Sequence, residues 1–227
     1  MDNPHRLILL PGLAADERMY AHLDKLPIRL ITPRLLVPRH QETMSAYALR
    51  YIEWLNIDAN DVVGGCSFGS MVASEICRQR TTRGLVLLSG ALSSAALAPS
   101  AQKLKCVSNY IPYAIARRII MSPFFLRAIF GSSDPEKVAL ASQMVADTPR
   151  ELLLRGSRLA TEYLGDMVQV ALKCDVYALH GGQDRVLSPP KVANCSIITD
   201  AGHGMVISHA AQVEEFLRQV LAQLAKA

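Results

Sequence analysis

Short apolar runs alternate along the chain with stretches whose apolar residues recur at helical spacing. The runs Arg6-Pro11, Ile28-Pro33, Asp61-Cys66, Gly84-Ser89, Asp175-His180 and Ser196-Thr199 each have strand length, and several end at glycine or proline. Near-continuous apolar runs of this kind fit strands buried on both sides by helices. Between them, Ser45-Leu55, Phe68-Arg80 and Ala211-Leu224 carry the helical period. The last places Val213, Phe216, Leu217, Val220 and Leu224 on one side. The alternation predicts an α/β fold: a mostly parallel six-stranded sheet with helices on both faces.

The interval from Ser89 to Asp175 departs from this rhythm. It has helix starts of its own, at Ser133-Asp134-Pro135 and Thr148-Pro149, each a capping residue before a proline at the first helical position. Its first half, 110–130, is rich in large apolar residues (Ile111, Ile115, Ile119, Ile120, Phe124, Phe125, Leu126, Ile129 and Phe130). We expect a helical cap inserted at about 94–172 and laid over one end of the sheet. Ordinary crossover helices with extra core are the alternative.

Composition narrows the class. With 227 residues, half of them hydrophobic, the chain can bury a full core as one domain. No apolar run approaches the roughly 20 residues of a membrane span, and Leu7-Leu10 is too short for a signal peptide, so a cytoplasmic protein is expected. Five scattered cysteines without a CxxC pair indicate neither a disulfide framework nor a zinc site. No metal or other cofactor is expected. A net charge of +4, with no basic cluster interleaved with aromatics, does not point to nucleic acid.

The chemistry centres on Gly65-Cys66-Ser67-Phe68-Gly69, set between an apolar strand and a helix. A serine hydroxyl becomes a useful nucleophile only when it stands exposed beside a base. A sharp strand-to-helix turn projects it, and the close backbone approach calls for residues without side chains two places before and after. Ala73, one turn on, is also small.

A base is expected on a loop after the last strand, and Gly202-His203-Gly204 lies there, its glycines free to turn the imidazole back. His5, His22 and His40 precede the nucleophile, His180 ends a strand, and His209 sits where the final helix begins. The acid that orients the imidazole is expected at Asp184, directly after the fifth strand. The other usual place, the loop Ser89-Gly90-Ala91-Leu92-Ser93-Ser94, holds no carboxylate. Asp175 opens a strand at the wrong end, and Asp200 is too near His203 along the chain. The order Ser67, Asp184, His203 is that of one of three known chain orders for such a constellation.

Leu10-Pro11-Gly12-Leu13, Gly-Cys-Ser-Phe-Gly, Gly-Gly-Gln-Asp and Ala-Gly-His-Gly together resemble the α/β-hydrolase superfamily over essentially the whole chain. The resemblance implies an α/β-hydrolase fold and a Ser67, Asp184, His203 triad. It also implies an oxyanion hole formed by the backbone N–H groups of Leu13 and Phe68. Many relatives have His-Gly where this chain has Pro11-Gly12. Set beside longer members, the chain is expected to form a reduced sheet of six, without their two antiparallel edge strands.

The expected reaction is hydrolysis of a carboxylic ester through an acyl-enzyme, with a small-molecule ester or acyl substrate. Thioester hydrolysis, C–C bond hydrolysis and non-catalytic binding on the same fold stay open. Arg150, Arg155 and Arg158 fall within one arc of the helix after Pro149, with Leu152, Leu153 and Leu159 opposite. This resembles the basic cap surface by which pimeloyl-acyl-carrier-protein methyl ester esterases dock an acidic acyl carrier protein.

Overall fold

A computed structural model of the chain describes residues 6–98, 118, 122, 134–164 and 172–226. Six strands form one sheet: β1 (Arg6–Leu10), β2 (Arg29–Ile31), β3 (Val62–Cys66), β4 (Gly84–Leu88), β5 (Val176–Gly181) and β6 (Asn194–Ile198). Their order is β2-β1-β3-β4-β5-β6, and all five pairings are parallel. Each expected strand is present within two residues of its expected bounds.

Side chains alternate across a strand, and the two faces of this sheet accordingly feed two cores. Ile8, Leu10, Val63, Leu85, Leu87 and Ala178 pack with helices α1 (Met44–Leu55) and α2 (Phe68–Gln79). Leu7, Leu9, Val62, Val86, Leu88 and Leu179 pack on the other side, against the short helix α5 (Met205–Ser208) and the closing helix α6 (Ala210–Leu224). Helix α6 turns Val213, Leu217, Val220, Leu221 and Leu224 to that core. The four central strands are buried along nearly their whole length, as their apolar runs predict. At the sheet edges, β2 and β6 are not: each has a neighbour on one side only, and both expose residues that a two-sided strand would cover.

In the interval between β4 and β5 the described residues include the helices α3 (Pro135–Asp147) and α4 (Arg150–Glu162). Asp134 caps α3, its carboxylate accepting from the Glu136 N–H, with Pro135 in the first turn as expected. The second start differs. The Thr148 hydroxyl donates back to the Met144 carbonyl at 2.7 Å and closes α3, so Pro149 becomes the residue before α4. A threonine that bonds the preceding turn is no longer available to cap the next helix. The large apolar residues expected in 110–130 lie outside the described residues. Among the described residues, no helix is long and apolar enough to cross a membrane.

At the foot of the sheet, Arg6 on β1 grips the wholly buried Asp61 in front of β3 through Nε (2.8 Å) and Nη2. Asp61 also accepts from the Asp58 N–H. Removing one partner of a buried pair leaves the other uncompensated. Because Arg6 is one-fifth exposed and can hydrate, Asp61→Asn is expected to cost about 2–3 kcal/mol, read from urea unfolding. An unchanged midpoint would show that β1 and β3 need no charge pair to hold register.

Candidate active site

The turn from β3 into α2 is built at the limit of backbone contact. A Cβ on Gly65 would lie 2.6 Å from both the Leu10 carbonyl oxygen and the Gly69 carbonyl carbon, and one on Gly69 would collide with the same Leu10 oxygen. Strand β1, strand β3 and the first turn of α2 therefore meet with no room for side chains. Ser67 carries the bend itself, at φ 51° and ψ −116°. A non-glycine residue held there costs about 1–3 kcal/mol, which the contacts around it must offset. The Ser67 N–H donates to Leu88 O at 3.2 Å. The Ser67 carbonyl receives the Ser70 N–H at 3.0 Å and the Ser70 hydroxyl at 2.5 Å. Wholly buried Ser70 also accepts from the Ala91 N–H, tying the turn to the loop after β4.

Three of the sequence-predicted residues come together at this turn. His203 Nε2 lies 2.9 Å from Ser67 Oγ, and His203 Nδ1 lies 2.7 Å from Asp184 Oδ2. An ionised carboxylate only accepts, so Nδ1 carries the ring proton and Nε2 is left to accept from the serine hydroxyl. The other carboxylate oxygen, Oδ1, accepts from the Val186 and Leu187 N–H groups at 2.8 and 3.0 Å. Burial pushes the Asp184 carboxyl up, but His203 and these two amides outweigh it, and its pKa lies below the ordinary carboxylate value. The acid stays charged beside the imidazole. His203 is only 13 % exposed, whereas Asp184 is almost fully covered.

The turns carrying acid and base are fastened to each other and to the chain that leaves β4. Gly182 N–H donates to Ile198 O and Gln183 N–H to Ala201 O. A Cβ on Gly181 would strike the Ala201 and Gly202 carbonyls. On its far side the acid turn forms an antiparallel bridge with residues 96–98, through Ser188 N–H to Ala96 O and Ala98 N–H to Val186 O.

The loop after β1 lies against the serine. A Cβ on Gly12 would be 3.6 Å from Ser67 Cβ, so the loop that leads into Leu13 passes directly beside the serine. Phe68 is the first residue of α2, and its N–H is one of those a helix leaves without an internal partner. Helices α3 and α4 rest on this loop. Ala14, at φ 66°, packs on Val138, Ala141 and Val145 of α3, while Leu13 packs against Gly156 of α4. Arg18, held by Asp16, reaches Asp147 at the end of α3 at 2.7 Å.

The remaining candidates fall elsewhere. Arg155 donates to the Pro38 carbonyl at 2.9 Å, and Arg158 to the Glu42 carbonyl at 2.7 Å and to Glu162. These two guanidinium groups fasten α4 to the segment before α1; Arg150 is exposed. Asp200 faces His209 Nε2 at 3.5 Å, away from His203. Histidine 180, taken from the sequence as a strand-end residue, is wholly buried with Nε2 3.3 Å from Asp184 Oδ2. Its position four residues before the acid was the only signal in the sequence. Among the described residues, no cluster of histidine, cysteine, aspartate or glutamate could hold a metal.

Neither a protein-family model nor a curated protein sequence matches the chain. Solved structures do. A thermophilic esterase from Thermogutta terrifontis is similar at 22% identity and TM-score 0.73, over 99% of this chain and 92% of that one. An esterase from Exiguobacterium antarcticum is similar at 15% identity and TM-score 0.75, over 98% and 93%. The enol-lactonase from Burkholderia xenovorans is similar at 16% identity and TM-score 0.76, over 97% and 92%. Such extensive superposition at these identities establishes a shared fold.

The contacts at the turn predict a sharp contrast between two glycines. Gly65→Ala drives a methyl into two backbone atoms and is expected to destabilise by about 3 kcal/mol. Gly12→Ala meets only ordinary contacts and should stay within about 1 kcal/mol of the parent. Paired denaturant titrations check this, and equal losses would contradict the geometry.

Proposed function

We propose that this chain, which has the α/β-hydrolase fold, is a serine hydrolase that cleaves a carboxylic ester through an acyl-enzyme. The observation that carries the reading is the continuous hydrogen-bonded line from Ser67 Oγ through His203 to Asp184, standing on a strained strand-to-helix turn. A structural turn has no use for a serine at positive φ aimed at an imidazole that is itself paired with a buried carboxylate. Backbone strain of this kind is retained where function requires it.

In the proposed reaction, Ser67 Oγ attacks the ester carbonyl while His203 Nε2 takes its proton. The developing oxyanion is received by the Leu13 and Phe68 N–H groups, one on the β1 loop and one at the positive end of α2. His203 then passes the proton to the leaving alcohol. A water molecule, deprotonated in turn by His203, releases the carboxylic acid and restores Ser67. Asp184 remains a carboxylate throughout and stabilises the imidazolium formed in each half-reaction. Helices α3 and α4, in the cap we propose for about 94–172, brace the oxyanion loop from above.

Solved neighbours that are described as esterases support an ester in preference to the other bonds this fold is known to cleave. A substrate carried by an acidic acyl carrier protein has less behind it. Arg155 and Arg158, two of the three arginines that would dock it, already donate to backbone carbonyls.

Labelling with a fluorophosphonate probe tests the assignment. Wild-type protein should be labelled and Ser67→Ala should not, with p-nitrophenyl ester turnover in the variant reduced by at least about 10⁴. Asp184→Asn should retain labelling at a rate about 10³–10⁴ lower. Labelling of Ser67→Ala at the wild-type rate would sink the reading.

The depressed Asp184 pKa also sets the shape of the pH profile. Its carboxylate remains ionised as pH falls through the range in which an imidazole gains its proton. The acid limb of kcat/KM should therefore fall with unit slope, from one protonation. A slope of two would mean that acid and base titrate together.

A further inference from the structure

Histidine 180 is the one fully buried histidine among the described residues, and the proposed mechanism leaves it without a task. It is the penultimate residue of β5, four residues before Asp184. Its Nε2 lies 3.0 Å from the Leu187 carbonyl oxygen and 3.3 Å from Asp184 Oδ2, while its Nδ1 is buried with no partner among the described residues.

Both atoms facing Nε2 are acceptors, so Nε2 must carry the proton. The unpartnered Nδ1 is then a bare lone pair. The alternative tautomer would set three acceptors against one another and bury an unpaired donor, which is costlier. Charging the ring would place an unsatisfied N–H at Nδ1 in a fully buried site. Burial pushes the His180 pKa below the ordinary histidine value, and the attraction of Asp184 does not restore it. The titratable groups that face the acid–histidine cluster are Asp184 on the acid turn, His203 on the base loop and the Cys66 thiol on β3. The thiol is pushed up by burial and is neutral.

The consequence is mechanical. Leu187 is grasped at both its polar atoms: its N–H donates to Asp184 Oδ1, and its carbonyl accepts from His180. A strand residue thus holds, by its carbonyl, the residue whose N–H orients the carboxylate. We propose that neutral His180 is a positioning residue for the reaction proposed above, its Nε2–H pinning Leu187 so that Asp184 presents Oδ2 to His203. At 3.3 Å the contact with Oδ2 is secondary, and the effect runs through the Leu187 carbonyl.

The test compares His180→Leu, which fills the space without a donor, with His180→Gln, whose amide places an N–H near the Nε2 position. With a p-nitrophenyl ester, His180→Leu should lose about tenfold or more in kcat with KM within about twofold. Its acid limb should move to lower pH, because an imidazolium with a poorly aligned carboxylate loses its proton more readily. His180→Gln should recover most of kcat and return the limb to its place. A lowered melting temperature with kcat and limb unmoved would overturn the proposal, as would equal impairment of both variants or an upward shift of the limb.

Nitrogen NMR of ¹⁵N-histidine-labelled wild-type protein provides a second measurement that needs no folded variant. It should show one ring protonated at Nε2 that does not gain its second proton in the range of an ordinary histidine. A His180 that titrates in that range, or carries its proton on Nδ1, ends the proposal. This readout does not depend on turnover. If the probe fails to label Ser67, the hydrolase reading falls, while the tautomer result still stands or falls by itself.

Discussion

Three pieces of backbone meet at the Leu10 carbonyl: the end of β1, Gly65 of β3 and Gly69 of α2. Any side chain at either glycine would occupy the same space as backbone atoms, and backbone, unlike the end of a flexible side chain, cannot swing aside. Buried Tyr20 completes the corner by donating its hydroxyl to the same Leu10 oxygen at 2.8 Å. The close approach makes the turn sharp, and the sharp turn forces Ser67 to φ 51°. That backbone angle lifts the hydroxyl out of the sheet toward His203. Sheet, helix and Ser67 therefore share a single steric constraint.

The parallel order of the sheet supplies the rest of the site. All six strands run the same way, so the loops leaving β1, β3, β4, β5 and β6 emerge at one end. The loop from β1 brings Gly12 and Leu13, that from β3 brings Ser67, that from β5 brings Asp184 and that from β6 brings His203. Groups far apart along the chain become neighbours because parallel strands all finish at the same end of the sheet. The loop after β4 contributes no carboxylate and is used differently. Its Ala91 N–H is held by Ser70, and the chain beyond it bridges to the acid turn at Ala96 and Ala98.

Orientation at the site comes from polar groups with few alternatives. Asp184 is almost fully covered and takes two amides on one oxygen and His203 on the other. In a site of low dielectric each of these bonds is strengthened and each omission is costly. Helices α3 and α4 act on the opposite side, where Ala14 and Leu13 are pressed from above. Substitutions on those helices can thus reach the loop after β1 without touching Ser67, Asp184 or His203.

The six strands and the principal helices were legible in the sequence because apolar periodicity is local and each run is short enough to have one reading. Ser67 was legible for the same reason: its two glycines and its neighbouring strand and helix lie within a few residues. Asp184 and His203 could be singled out by their loops, although their distances to Ser67 could not. The sequence did not reveal that Thr148 closes one helix instead of opening the next, since both uses look alike until the Met144 carbonyl is in place. Nor did it reveal that Arg155 and Arg158 are engaged by the Pro38 and Glu42 carbonyls more than a hundred residues away. His180 looked like a strand end. Only folding sets its ring against Leu187 and Asp184, because a hydrogen bond depends on distance and direction in space. The sequence determined which groups are available and on which elements they ride; the tertiary structure decided which of them face one another, since that follows from how strands and helices pack.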